Sequence, residues 1–180
     1  MKNIVFLFTF SMLLANCKIA PKKENTIGLT TQKAMVVSAR IEASSIGTAI
    51  LKKGGNAFDA MMATELALAV AYPYAGNIGG GGFMVYRKSN GEIGALDYRE
   101  KAPLAATRDM YLDNDGNIIK GKSTVGGSAV GVPGTIAGVF KAQEKLGLLS
   151  VKEILSPVIE LAKKGVVVTK KQEDRINKFK

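Results

Sequence analysis

Histidine is absent from this 180-residue chain, and cysteine occurs once. Without histidine, neither a Ser-His-Asp triad nor a histidine-built metal site can form within these residues. A single cysteine cannot form an internal disulfide bond. The main apolar stretch, Ile4 to Ala15, is shorter than the ~20 residues that a membrane-spanning helix needs. These absences exclude four features from these residues: the Ser-His-Asp triad, the histidine-built metal site, the internal disulfide bond and, in the apolar stretch, the membrane-spanning helix.

The chain is basic, with 25 Lys and Arg against 15 Asp and Glu, a net charge of +10. The lysines are scattered, and no basic stripe interleaved with aromatic residues is present. We therefore expect no nucleic-acid partner. Hydrophobic residues make up 47% of the chain, which is ordinary for a globular protein. The length corresponds to one domain or to one piece of a larger one.

The N-terminus predicts export. Lys2 supplies a positive charge before the apolar stretch, and Leu14-Ala15-Asn16-Cys17 resembles the lipobox of bacterial lipoproteins. We expect residues 1–17 to be a lipoprotein-type signal peptide, with Cys17 lipidated and the protein held on a membrane in the periplasm or at the surface. Residues 18–30 are predicted to be a tether. Because Asn16 departs from the usual Gly, Ala or Ser, plain secretion with Cys17 as an incidental thiol is the alternative.

Two helices are predicted between residues 39 and 71. The first ends at Gly54-Gly55, and the second is capped by Asn56, with the carboxylate of Asp59 favouring its N-terminus. The second helix is apolar nearly all round, which is typical of a buried helix. The apolar face of the first comprises Ala39, Ala43, Ile46 and Ile50.

The segment Tyr72 to Phe83, here called the glycine loop, holds Gly76 and Gly79 to Gly82. Phosphate-binding glycine loops run from a strand into a helix, so that the helix N-terminus faces the anion. The order here is reversed, and no Gly-Lys-Ser/Thr follows. We interpret the loop as a tight bend between the buried helix and the next strand.

A β-hairpin is the clearest strand signal. Phe83 to Arg87 and Ile93 to Tyr98 flank a turn at Asn90-Gly91. Ala34 to Ser38 is a further strand candidate. Asp113 to Gly116 reads as a turn, because the acidic residue that a calcium loop needs at its twelfth position is replaced by threonine. Later helices are predicted at Ile136 to Leu146, at Val151 to Lys164 after a Ser150/Glu153 capping box with a kink or break at Pro157, and from Thr169 onward.

Five segments together resemble the N-terminal part of the γ-glutamyltransferases, also called γ-glutamyltranspeptidases or glutathione hydrolases. They occur in the family's order and spacing from about residue 34 onward, so residues 31–180 are interpreted as one part of the family's large subunit. The segments are Ile50 to Ala60, Ala75 to Phe83, Asp97 to Pro103, Thr107 to Met110 and Gly131 to Gly138.

The resemblance implies an α+β fold, an incomplete αββα sandwich of the N-terminal-nucleophile hydrolases. It implies a precursor that cleaves itself into two subunits, and a γ-glutamyl substrate such as glutathione, with no cofactor and no metal. The N-terminal threonine of the small subunit would attack the γ-glutamyl amide. No counterpart of that threonine or of its Thr-x-His motif occurs here, so we expect no catalytic residue within this chain and a missing small subunit as its partner.

Arg99, in Asp-Tyr-Arg-Glu, matches the arginine that in this family binds the α-carboxylate of the γ-glutamyl group. A guanidinium can hold a planar carboxylate through two parallel charge-assisted hydrogen bonds. The alternative for Arg99 is a surface arginine paired with Asp97 or Glu100. At the level of the whole chain, the alternative to an enzyme fragment is a catalytically inactive, truncated exported lipoprotein with a large-subunit-like fold.

Overall fold

The computed structural model describes residues 28–76 and 78–178. The chain divides into two units, and the first ends at Lys33. Of that first unit, residues 28–33 are described and contain no helix or strand. The predicted signal peptide, Cys17 and most of the predicted tether lie outside the described residues. Within the described ranges, no helix is long and apolar enough to cross a membrane.

The second unit, which begins at Ala34, contains both helices and strands, as expected for the α+β class. Its sheet is a two-stranded antiparallel hairpin among the residues described. The elements are α1 (Ile41–Lys52), α2 (Ala57–Ala71), β1 (Phe83–Arg87), β2 (Ile93–Asp97), a 3-10 turn (Gly127–Ala129), α3 (Thr135–Leu146), α4 (Val151–Lys164) and α5 (Lys170–Lys178).

Helix α2 is the centre of the helical layer and packs against α1, α3 and α4. It is apolar nearly all round, and eight of its fifteen residues are buried, as the sequence predicts for a core helix. Fully or almost fully buried side chains from all four helices meet there: Ile50, Met62, Ala63, Val139 and Ile154. This packing fixes the C-terminal end of α2, from which the glycine loop departs.

The N-terminus of α2 carries the predicted cap. The Asn56 side chain accepts hydrogen bonds from the backbone N–H groups of Phe58 and Asp59, and Asp59 accepts one in return from the Asn56 N–H at 2.9 Å. The Asp59 carboxylate is fully buried and also accepts bonds from the N–H groups of Leu148 and Leu149. One carboxylate therefore caps α2 and holds the connection between α3 and α4 against it.

The predicted hairpin is confirmed. Phe83 pairs with Asp97 and Arg87 with Ile93, and Gly91 adopts a φ of +90° in the turn, a conformation that glycine tolerates best. Tyr86 packs edge-to-face on Phe58 of α2, with ring centroids 5.3 Å apart, so one face of the hairpin meets the helical layer. The other face is exposed although it is largely apolar; it carries Phe83, Val85, Ile93 and Ala95.

Three expectations need correction. Residues 34–38 were predicted to form a strand, but they belong to no helix or strand. The first helix begins at Ile41 and not at Ala39, since Arg40 is its N-cap. The predicted break at Pro157 is wrong, because α4 continues through this residue as one helix. Ile154 and Val158 are buried on either side of Pro157, and this packing offsets the hydrogen bond that proline cannot donate.

Candidate functional site around Arg99

Arg99 follows the end of β2 by two residues, and the main chain there is held in place. The N–H of Tyr98 donates to the carbonyl of Gly82 at 3.0 Å, and the Gly82 N–H donates back to Tyr98 at 3.3 Å. The Arg99 N–H donates to Asp97 Oδ1 at 2.9 Å. The ladder therefore continues beyond β2 into the glycine loop and fixes the point from which the Arg99 side chain departs.

Four glycines surround Tyr98 and Arg99, and we call Gly81, Gly82, Gly134 and Gly138 the glycine cradle. A β-carbon on Gly81 would lie 2.8 Å from the α-carbon of Arg99 and 2.7 Å from the Tyr98 carbonyl oxygen. One on Gly134 would overlap the same carbonyl oxygen, and one on Gly138 would overlap the Tyr98 ring. Main-chain atoms cannot yield as a flexible side chain would, so the close approach requires glycine at Gly81 and Gly134.

Hydrogen bonds join the two halves of the cradle. The carbonyl of Gly80 accepts from the N–H groups of Gly134 and Thr135 at 2.8 and 3.0 Å, at the start of α3. Lys101 and Val132 exchange two backbone bonds of 3.1 and 2.7 Å. The glycine loop, the segment after β2 and the start of α3 are thus one hydrogen-bonded unit with Arg99 at its centre.

The Arg99 side chain is available for a ligand. It is 57% exposed, its Nε lies 3.4 Å from Glu100 Oε2, and its guanidinium carbon lies 5.8 Å from the centroid of the Phe83 ring. Exposed ion pairs contribute about 0–1 kcal/mol, so Glu100 holds the guanidinium only weakly. The alternative predicted for Arg99 was an ion pair with Asp97 or Glu100, and the pair with Glu100 is present. The Asp97 carboxylate instead accepts a hydrogen bond from the backbone N–H of Arg99. The arrangement suits two-point recognition of a carboxylate.

Burial around the cradle shifts the pKa values of two neighbouring groups toward their neutral forms. Removal from water raises the pKa of the Tyr98 hydroxyl, and the nearby charge of Glu65 adds to that rise. Burial also raises the pKa of the Glu65 carboxyl. Glu65 is half-buried on α2 and makes no hydrogen bond or ion pair within the part of the chain that is described.

Sequence reasoning identified Arg99 and the glycine loop but not the contribution of α3. The signal was present, because Gly131, Gly134 and Gly138 recur at the start of a predicted helix, a spacing that allows another segment to approach closely. The predicted turn at Asp113 to Gly116 is confirmed, with Gly116 at a φ of +83°. Among the described residues, no three His, Cys, Asp or Glu side chains are grouped so as to hold a metal ion.

Comparison with known proteins supports the resemblance read from the sequence. The family model described as Gamma-glutamyltranspeptidase matches residues 43–180. The chain is 54% identical over 145 residues to the "Glutathione hydrolase proenzyme" of Pseudomonas sp. (strain A14), covering 81% of this chain and 25% of the relative. It is 44% identical over 148 residues to the protein of the same name from Escherichia coli (strain K12), covering 82% and 26%. The chain thus spans about a quarter of the length of these curated relatives.

Solved structures show the same architecture. The gamma-glutamyltranspeptidase of Helicobacter pylori superposes with a TM-score of 0.80 at 43% identity, over 84% of this chain and 44% of that one. The enzyme of Pseudomonas nitroreducens, solved as a complex with L-DON, gives 0.77 at 44% identity, over 83% and 44%. These likenesses confirm the predicted α+β class and identify the fold as a portion of an N-terminal-nucleophile hydrolase.

Proposed function

This chain belongs to the gamma-glutamyltranspeptidase family, and from that premise we propose that it supplies the N-terminal part of a glutathione hydrolase. The complete enzyme of this proposal cleaves γ-glutamyl amides such as glutathione. It passes the γ-glutamyl group to water, to amino acids or to peptides. The family assignment supports the reaction class, and the names of the relatives support the substrate.

The geometry of Arg99 is the observation that carries the proposal. A γ-glutamyl substrate presents a free α-carboxylate beside the amide that is cleaved. A guanidinium on a rigid main chain can hold such a planar group through two parallel hydrogen bonds. The glycine cradle fixes the backbone of Arg99, and the guanidinium stays exposed and is held only by a weak ion pair with Glu100. Arg99 can therefore turn its hydrogen-bond donors to the substrate and orient it.

The nucleophile in this proposal is an N-terminal threonine that lies outside these 180 residues. Its own α-amine serves as the base, and it becomes N-terminal when the precursor cleaves itself into two subunits. The word proenzyme in the names of the relatives supports self-cleavage for them. The exposed apolar face of the hairpin, with Phe83 and Val85, supports a further layer of polypeptide over this chain.

An assay with two matched substrates tests the activity. We expect the full-length protein to release p-nitroaniline from γ-glutamyl-p-nitroanilide, with the rate rising when a dipeptide acceptor is added. The α-glutamyl isomer has the same leaving group but the wrong linkage, and we expect it to remain intact. A purified protein that remains a single chain and cleaves neither compound would instead support the inactive lipoprotein.

The cellular location is a second part of the proposal. We propose that Cys17 is lipidated after removal of the preceding residues, which anchors the protein on a membrane in the periplasm or at the surface. The sequence Leu14-Ala15-Asn16-Cys17 supports this. Labelled palmitate should enter the wild-type protein and not the Cys17→Ala variant. Equal labelling of both would exclude Cys17 as the acceptor.

A further inference from the structure

A cavity of about 430 Å³ lies between α5 and the residues that follow α2. None of its lining residues belongs to the glycine cradle, and Arg99 does not reach it. Its walls are mainly apolar and include Val70, Pro73, Val166, Val168 and Ile176. The volume falls within the ~300–1,000 Å³ that is typical of small-molecule sites.

The walls of this cavity are held together by a partly buried polar network. Gln172 of α5 donates to the carbonyl of Ala71 at the end of α2 at 3.0 Å, and its Oε1 accepts from Arg40 at 2.7 Å. Arg40 is only 12% exposed and is paired through two hydrogen bonds with Glu42. It also donates to the carbonyl of Val167 at 3.2 Å. The cavity is therefore preformed, since α5 and the segment before it are fixed to α1 and α2.

Two cations stand at the cavity without a carboxylate partner. The guanidinium of Arg175 lies flat on the ring of Tyr74, 3.3 Å from its centroid, and Lys171 is one helical turn away. Neither forms an ion pair within the described residues, because the acids of α5, Glu173 and Asp174, pair with Lys170. No acidic residue lines the cavity. The electrostatic character of the site is therefore positive.

Apolar surface beside these cations is left in contact with water. Tyr74, Val168 and Ile176 are each more than half exposed and line the same cavity. Grouped apolar exposure of this kind marks binding surfaces. The hydroxyls of Tyr72 and Tyr74 make no hydrogen bond in the part of the chain that is described and can donate to an anion.

We propose that this cavity binds a small organic carboxylate with an apolar body. The apolar part lies against Val70, Val166 and Ile176, and the carboxylate lies between Lys171 and Arg175. A neutral apolar compound would leave both cations unpaired, and an organic amine would be repelled by them. The two cations and the apolar lining thus select one chemical class. This site is separate from the one that Arg99 provides.

Calorimetric titration of the full-length protein with decanoate and decanol tests the proposal, because the two differ only in the charged group. We expect decanoate to bind at least roughly tenfold more tightly. Lys171→Gln and Arg175→Gln should each weaken decanoate binding roughly tenfold while leaving decanol unchanged. Lys163→Gln, on the exposed surface of α4, is the matched control and should have no effect.

Lys171→Gln should not disturb the fold, because Lys171 is exposed and the substitution removes a charge without removing a packed side chain. A loss of decanoate binding in this variant would therefore not be due to misfolding. Equal affinity for decanoate and decanol would overturn the proposal. Decanoate binding that persists when Lys171→Gln and Arg175→Gln are combined would also overturn it. So would an NMR titration with decanoate in which the chemical shifts change at sites away from Tyr72, Tyr74 and Val166.

Discussion

The carbonyl oxygen of Tyr98 lies so close to the α-carbon of Gly134 that a β-carbon at position 134 would overlap it. The two residues are 36 positions apart in the sequence. They meet because the start of α3 hydrogen-bonds to the glycine loop, which in turn pairs with Tyr98. The position of Arg99, the next residue, therefore depends on the absence of a side chain at Gly134.

Replacing Gly134 by alanine should destabilise the protein by about 1–3 kcal/mol, the usual range for overpacking a close contact. The added methyl group meets main-chain atoms of Tyr98 and Arg99, which can move only if the cradle opens. Denaturant unfolding of the full-length protein measures the change. Gly127→Ala is the matched control, since a β-carbon there meets nothing within 4 Å. Equal stability of the two variants would show that the cradle is not tightly packed.

Removal of the Asp59 carboxylate should lower the free energy of unfolding by about 3 kcal/mol, because several backbone N–H groups lose their hydrogen-bond acceptor. Asp59→Ala leaves the N–H groups of Asn56, Leu148 and Leu149 without their acceptor at a partly buried site. Thermal and denaturant unfolding check this. Asp109→Ala is the control, since it removes an exposed carboxylate that lies 3.9 Å from Arg108. Its free energy of unfolding should stay within about 0.5 kcal/mol of the wild-type value.

Glu65 should make stability depend on pH. Burial raises the pKa of its carboxyl above the ordinary value of 4.5, so the folded state binds more protons than the unfolded state between these two values. Its contribution to stability therefore falls as the pH rises from about 4.5 through the raised pKa, and then stays constant.

The Glu65→Gln variant isolates that contribution. We expect it to be more stable than the wild type at about pH 8 and equally stable at about pH 3, where the carboxyl is protonated in both states. Urea midpoints at the two pH values measure the difference. Glu160→Gln, which removes an exposed carboxylate paired with Lys163, serves as the control. A Gln variant that is less stable at the higher pH would mean that the Glu65 charge is stabilised by a partner.

Local signals predicted most of the secondary structure. Asn56 with Asp59, and Ser150 with Glu153, form the capping boxes expected from their spacing, and Asn90-Gly91 forms the hairpin turn. These features depend on residues at most a few positions apart. The prediction at residues 34–38 failed for the opposite reason, since a strand exists only when another segment pairs with it.

Long-range contacts account for what the sequence could not predict. The family resemblance identified Arg99, yet the part that Gly134 and Gly138 play depends on how α3 meets β2. The α5 cavity depends likewise on Arg40 and Gln172, which are 132 positions apart and meet through a 2.7 Å hydrogen bond. Neither contact has a periodic signal in the sequence.

The Michaelis constant of Arg99→Lys for γ-glutamyl-p-nitroanilide in the full-length enzyme is the most direct test of the proposed function. Lysine keeps the charge but cannot form the two parallel hydrogen bonds, so KM should rise at least roughly tenfold while kcat changes by less than about threefold. Arg108→Lys, at an arginine that is almost fully exposed, should leave both unchanged. An Arg99→Lys enzyme with wild-type KM would contradict the assignment of Arg99 as the residue that binds the α-carboxylate.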